Sequence, residues 1–200
     1  MIKKESLSSF LPNKKKKYIL FIWQERNNYM ELIRPNQNDK DKYLEYLDEV
    51  TFNNETKLLG DANIKKDETF EQMLIRVDKI RYKENLIGMM KPTSVFWIKE
   101  NNKIIGSMNL REELNEFTYY TIGNVGYYIR PSYRNKKYGT YALSLAKKYY
   151  KSIGTKKILL ICTNNNIASE KVILKNGGKF ELEIPAFDGI NKLKRYWIEL

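Results

Sequence analysis

Residues 129–150 read IRPSYRNKKYGTYALSLAKKYY. An apolar strand leaves through Pro131, since the residue before proline is pushed to extended geometry. The chain then crosses Arg134, Asn135, Lys136 and Lys137, reaches Gly139 and enters an amphipathic helix. In that helix Tyr138, Ala142, Leu145 and Tyr149 recur every three or four residues. A helix N-terminus offers unpaired N–H groups and about half a positive charge, so the junction suits an anion. Lys136 and Lys137 stand where cations disfavour the helix itself, a conflict that a bound phosphate would explain. Gly139 permits close approach of a ligand or of the strand beneath. The loop is neither a Walker motif nor a Gly-x-Gly-x-x-Gly turn. Taken alone, it fits a plain surface turn with solvated lysines equally well.

Four backbone donors at about 1.5–3 kcal/mol each toward a charged acceptor compare with the ~8 kcal/mol of a micromolar complex. Association costs consume much of that gain. A ligand held here must therefore reach beyond a pyrophosphate and make contacts along the preceding strand.

Outward from this junction, the chain alternates strand and helix signals. KKILLICT is a continuous apolar run, the pattern of a strand covered on both faces. NIASEKVILKNGG predicts a helix with Ile167, Val172 and Ile173 inward, and KFELEI and KLKRYWIEL predict two final strands. Upstream, TSVFWIKENNKIIGSMNL predicts a hairpin turning at Glu100–Lys103, whereas REELNEFTYYTIG is ambiguous. Two helices are expected from Tyr43, Leu44, Leu47 and Val50 and from Phe70, Leu74, Val77 and Ile80, with a loop over residues 51–67. MELIRP begins like a first strand. Residues 1–29 read as an N-terminal extension, either loosely attached or an extra element on the sheet edge, and residues 30–200 as one domain. The element order predicts an α/β (α+β) mixed sheet with helices on both faces.

The composition narrows function. The 200 residues carry a formal charge of +12, which favours anionic partners without choosing among them. The lysines are spread along the chain, with one block at Lys14–Lys17. The absence of histidine removes the commonest general base and metal ligand, so no metal is expected. The single Cys162 excludes an intrachain disulfide and reads as an inert core thiol. The apolar run Tyr18–Trp23 is far shorter than the roughly 20 residues of a membrane span, and a cytoplasmic protein without membrane contact is expected. A nucleic-acid binder would use clustered stacking aromatics, but the fifteen tyrosines fall mostly at core spacing, so no nucleic-acid partner is expected.

The segments GYYIRPSYRNKKYGTYALSLAKKYY, KKILLICTNNNIASEKVILKNGG and KRYWIEL, in this order, resemble the GNAT superfamily of N-acetyltransferases, and within it a bacterial branch of predicted acetyltransferases. The resemblance runs from about Phe96 to the C-terminus and more weakly back to Glu31. It implies a mostly antiparallel twisted sheet of six to seven strands with a splayed central pair. It also implies acetyl-coenzyme A as donor, an unidentified amine acceptor and direct acetyl transfer, and it is consistent with a homodimer. The family's Arg/Gln-x-x-Gly-x-Gly/Ala cradle falls on Arg134, Asn135, Lys136, Lys137, Tyr138 and Gly139, with Thr140 following. The strand residues Tyr127, Tyr128, Ile129 and Arg130 would bond the pantetheine arm, and Asn166 and Ser169 would flank the thiol end. Two departures stand out: Lys137 replaces the family's first glycine, and Ile173 occupies the place of the tyrosine that many relatives use as general acid. A non-catalytic acyl-coenzyme A binding module is the alternative.

Acetyl transfer needs a neutral amine, a polarised thioester and a proton path. The catalytic candidates are Glu113 with its neighbours Glu112 and Glu116, Tyr128, and Ser169 as donor to the thiolate. Each has a plainer reading, as a solvated glutamate, a packing tyrosine or an early-helix serine.

Overall fold

The computed structural model describes residues 19–25, 28–86 and 91–200. Alternation sorts its central strands between two cores. On β3 (Ser94–Glu100), Phe96 and Ile98 enter one cluster, and Val95 and Trp97 enter the other on the opposite face. β4 (Lys103–Leu110) pairs antiparallel with β3 across the Asn101–Asn102 turn, where both residues adopt positive φ (45° and 68°), as a tight hairpin requires. β2 (Asn28–Ile33) and β5 (Val125–Ile129) flank this hairpin. β1 (Ile19–Glu25) pairs antiparallel with β2, giving the order β1-β2-β3-β4-β5. A second sheet has the order β6-β8-β7, with β6 at Lys157–Thr163, β7 at Lys179–Pro185 and β8 at Lys192–Glu199.

The described residues thus form eight strands in two antiparallel sheets, where six to seven were expected. The added strand is β1, which lies inside the segment set apart as an extension. Residues 1–18 and 26–27 of that segment, including Lys14–Lys17, lie outside the described residues.

Helices cover both faces. On one side lie α1 (Lys40–Phe52), a 3-10 stretch (Thr56–Ala62) and α2 (Phe70–Lys79), whose Tyr43, Tyr46, Phe70 and Met73 surround Trp97. α2 opens with a capping box in which Thr69 and Gln72 satisfy each other's backbone N–H groups. α3 (Glu116–Thr121) resolves the ambiguous segment as a short helix capped by Asn115. On the other face lie α4 (Tyr138–Ser152) and α5 (Ile167–Lys175). In α5 Ile173 is buried and Val172 partly so, but Ile167 is exposed, contrary to its expected inward position. Its separation from Ile173 is not a whole number of turns. Among the described residues no helix is long and apolar enough to cross a membrane, and no cluster suited to a metal ion is present.

The two sheets meet at a small knot. Gly123 bridges to Leu160 with φ +73°, and a Cβ there would lie 2.5 Å from the Leu159 carbonyl oxygen, so only glycine fits. The next residue, Asn124, is buried. Its N–H donates to Leu159 O (2.8 Å), its Oδ1 accepts from Leu159 N (2.8 Å), and its Nδ2 donates to Arg111 O (2.9 Å). The buried Tyr150 hydroxyl accepts from Arg111 N (3.0 Å) and lies 2.8 Å from Arg111 O and 2.9 Å from Asn124 O. Beyond this point β5 and β6 diverge, which is the splay implied by the sequence resemblance. Replacing Asn124 with alanine strands the buried Leu159 N–H and leaves Arg111 O to the Tyr150 hydroxyl alone, and should destabilise the fold by about 1–3 kcal/mol. Urea denaturation with an unchanged slope would measure it, and a loss below about 0.5 kcal/mol would show that the knot is not structural.

Candidate active site

β5 pairs on one side only. Arg111 N donates to Asn124 O (2.9 Å) and Arg130 N donates to Ile105 O (2.9 Å), so even-numbered residues of this strand point their backbone groups at β4. The N–H and C=O groups of Val125, Tyr127 and Ile129 are therefore turned away from β4, into the splay. The result is an open strand edge that leads directly into the 130–139 loop.

Two glutamates hold that loop. At the end of α1, Glu49 accepts from Arg130 Nε (2.6 Å), Ser132 N (2.8 Å) and Ser132 Oγ (2.9 Å). Burial works against the Glu49 charge, but these donors hold its carboxyl below the usual range. Glu55 receives a two-pronged contact from Arg134, with Nη1 at 3.0 Å, and also accepts from the Tyr128 hydroxyl. Arg134 holds the Glu55 carboxyl low, and Glu55 raises the guanidinium in turn. Arg134 Nε donates to Ile129 O (3.0 Å). The Arg134 side chain, expected at the cradle, thus ties the loop to Glu55 and to the end of β5.

Asn135 and Lys137 both take left-handed conformations (φ 61° and 66°). Lys137 is the N-cap of α4, and no side chain caps the helix there. The position at which the family has glycine thus does need positive φ, and this chain forces lysine into it. Lys136 is exposed, with Nζ donating to Ser132 O (3.0 Å), and Lys137 is exposed beside it. Tyr138 donates to Glu100, and Thr140 O accepts from Asn176 Nδ2 (3.2 Å). Gly139 faces α5 and β5: an added Cβ would lie 3.2 Å from Val172 Cγ2 and 3.7 Å from Tyr127 Cε2.

The three expected catalytic residues do not converge. Ser169 lies in the first turn of α5, where its N–H donates to Asn166 Oδ1 (3.0 Å), and its hydroxyl meets that of Tyr127 at 3.1 Å. Tyr128 points to the opposite face, edge-on to Tyr46 and bonded to Glu55, and burial followed by that bond raises its pKa. Glu113 is exposed and paired with Lys91 (3.1 Å), and Glu112 accepts from the Tyr149 hydroxyl. Glu116 is exposed in the first turn of α3. Cys162 is buried, and burial pushes its thiol up to about 11. The tyrosine that meets Ser169 is Tyr127, which sequence reasoning did not weigh for a catalytic role. Strict alternation along VGYYI separates the two tyrosines onto opposite faces, a signal present in the sequence. Burial pushes the Tyr127 phenol up to about 12, so it remains protonated at neutral pH.

Residues 21–179 match the family model of the acetyltransferase (GNAT) domain. Comparison with curated proteins finds no match in sequence. Among solved structures, the chain is similar to an acetyl transferase from Salmonella typhimurium that modifies the N-terminal serine of ribosomal protein L7/L12. The identity is 13%, the TM-score 0.60, and 86% of this chain and 95% of that chain are covered. It is also similar to an acetyltransferase (GNAT family) from Bacillus anthracis, at 20% identity, TM-score 0.61 and coverage of 90% and 98%. A third similar structure is the microcin C7 self-immunity acetyltransferase MccE in complex with acetyl-CoA and AMP, at 14% identity, TM-score 0.59 and coverage of 86% and 92%.

The left-handed Lys137 gives a direct test of the loop. Relief of a left-handed lysine is worth about 1–2 kcal/mol, less the roughly 0.5–1 kcal/mol by which glycine's freedom favours the unfolded chain. Lys137→Gly should therefore stabilise the protein by about 0.5–1 kcal/mol in urea denaturation. A loss of stability would show that the lysine is not strained.

Proposed function

The protein belongs to the GNAT acetyltransferase family, and from that premise we propose that it moves the acetyl group of acetyl-coenzyme A directly to an amine. The observation that carries this reading is the continuous path from the open edge of β5 to the uncapped N-terminus of α4. An extended arm with amide groups can pair with Val125, Tyr127 and the N–H of Ile129 like a neighbouring strand, the Ile129 carbonyl already accepting from Arg134. A pyrophosphate at its end meets the N–H groups of residues 135–139, with Lys136 and Lys137 beside them. These residues fit the donor: β5 has no second neighbouring strand, the helix end lacks a side-chain cap, and Asn135 and Lys137 beside it are both left-handed.

Acetyl-coenzyme A supplies a thioester, and a strand N–H in the splay would polarise its carbonyl. A neutral amine attacks the carbonyl carbon, the C–S bond breaks, and the sulfur leaves with the electron pair. The Tyr127–Ser169 hydroxyl pair stands on that face of β5 and supplies the proton to the thiolate. The proton lost by the attacking amine passes to water, because Glu112 and Glu113 are engaged elsewhere. Those engagements are also what a non-catalytic acyl-coenzyme A binding module would show, and thiol release with any amine separates the two readings.

Calorimetric titration with acetyl-coenzyme A is expected to show binding to the native protein and its loss in Gly139→Trp, whose ring would fill the contact with Val172 and Tyr127. Absence of binding by the native protein would overturn the reading. Combined Tyr127→Phe and Ser169→Ala substitution should lower kcat by roughly 10²-fold with the KM for acetyl-coenzyme A nearly unchanged. An unaltered kcat would remove the pair from the proton path.

A further inference from the structure

The face of β5 opposite Tyr127 carries polar groups that the transfer scheme leaves unused. The cross-strand pairs Ser107↔Tyr128 and Asn109↔Gly126 put these residues on one side of the sheet, and Arg111 follows on the same side. Arg111 is only 8% exposed, yet its Nη1 has no hydrogen-bond partner, and neither has the buried Asn109 Oδ1. A Cβ added to Gly126 would have just two neighbours within contact range, Arg111 Nη1 and Asn109 Cβ, each at 4.0 Å. Position 126 therefore has room above it, walled by a guanidinium and an amide. The 3-10 stretch closes the far side, with Gly60 over Asn109 Nδ2 and the Asp61 carboxylate near enough to favour the Arg111 charge.

A buried guanidinium with an idle nitrogen is unfavourable unless a ligand completes it. Its backbone is fixed by Tyr150 and Asn124, so the group is held in place in advance. The chemistry left unmet is a cation and an acceptor oxygen side by side. A carboxylate suits the first, through a charge-assisted bond to Nη1, and an amine N–H suits the second. A phosphate fits less well, since its larger charge meets stronger repulsion from Asp61 than a single carboxylate does.

Building on the acetyltransferase reading, we propose that Arg111 and Asn109 form the acceptor subsite above Gly126, and that the acceptor is an amine bearing a free carboxylate, of the amino-acid type. The site lies against β5, one residue from the Tyr127 edge where the thioester would be held.

The test uses the full chain saturated with coenzyme A, titrated calorimetrically with the N-acetyl forms of the common amino acids and with the corresponding amides. At least one free acid should bind tenfold or more tightly than its amide. That preference should vanish in Arg111→Gln and in Gly126→Val, while coenzyme A affinity stays within twofold in both. Gly126→Val keeps the test valid where the arginine variant fails to fold, because β5 tolerates a Cβ at that position. Equal binding of acids and amides, or no binding of any, overturns the proposal and leaves the transferase reading intact, as does a preference that survives in Gly126→Val. Failure of the native protein to bind coenzyme A, seen before any acid is added, overturns both.

Discussion

The fold depends on the hydrogen-bonding of Asn124. A strand entering a sheet normally finds partners on both sides, and β5 does so for one residue only. With its backbone and both side-chain atoms, Asn124 joins β4, β6 and the Tyr150 hydroxyl of α4 at one buried point. From there the strands have no further common ladder, and the divergence of the two sheets leaves the β5 edge without a neighbour. Because every buried backbone group must find a partner, such an edge is stable only when it lies against solvent or a ligand. The groove beside β5 in this GNAT protein is thus the geometric result of ending a β-ladder early.

The same strand divides the labour of its two faces. Tyr127 looks toward α4 and α5, where the donor would lie, and Tyr128 and Gly126 look toward α1 and the 3-10 stretch. One residue of register decides which chemistry each tyrosine serves. Glu49 and Glu55 then tie the 130–139 loop to α1 and to the start of the 3-10 stretch, so the turn and that face of the sheet are fastened to each other.

Much of this was legible in the sequence. Apolar periodicity located the helices and strands, and the proline, lysines and Gly139 of residues 129–150 marked the junction. The partners of Arg130 and Arg134 were not legible, because Glu45, Glu49 and Glu55 lie some eighty residues upstream and nothing local ties them to the loop. The strain at Lys137 was framed as a question of φ that only the backbone answers. The catalytic candidates were chosen by residue type, and each is bonded to another side chain: Glu113 to Lys91, Tyr128 to Glu55 and Ser169 to Tyr127. Side-chain alternation would have turned attention from Tyr128 to Tyr127. Arg111 carries no sequence signal at all: an arginine after an apolar strand reads as solvated, and only the fold shows it buried, with Asp61 acting on its charge from some fifty residues upstream.

The glutamate clamps have a kinetic consequence. With Arg130 and Arg134 neutralised by carboxylates, the field around the loop is that of Lys136 and Lys137 and of the helix end. The turn is also held in its binding shape, so arrival of a polyanion requires no ordering of the chain. Ionic strength should then govern how often a charged ligand is captured, whereas the depth of the strand-like contacts governs its residence time.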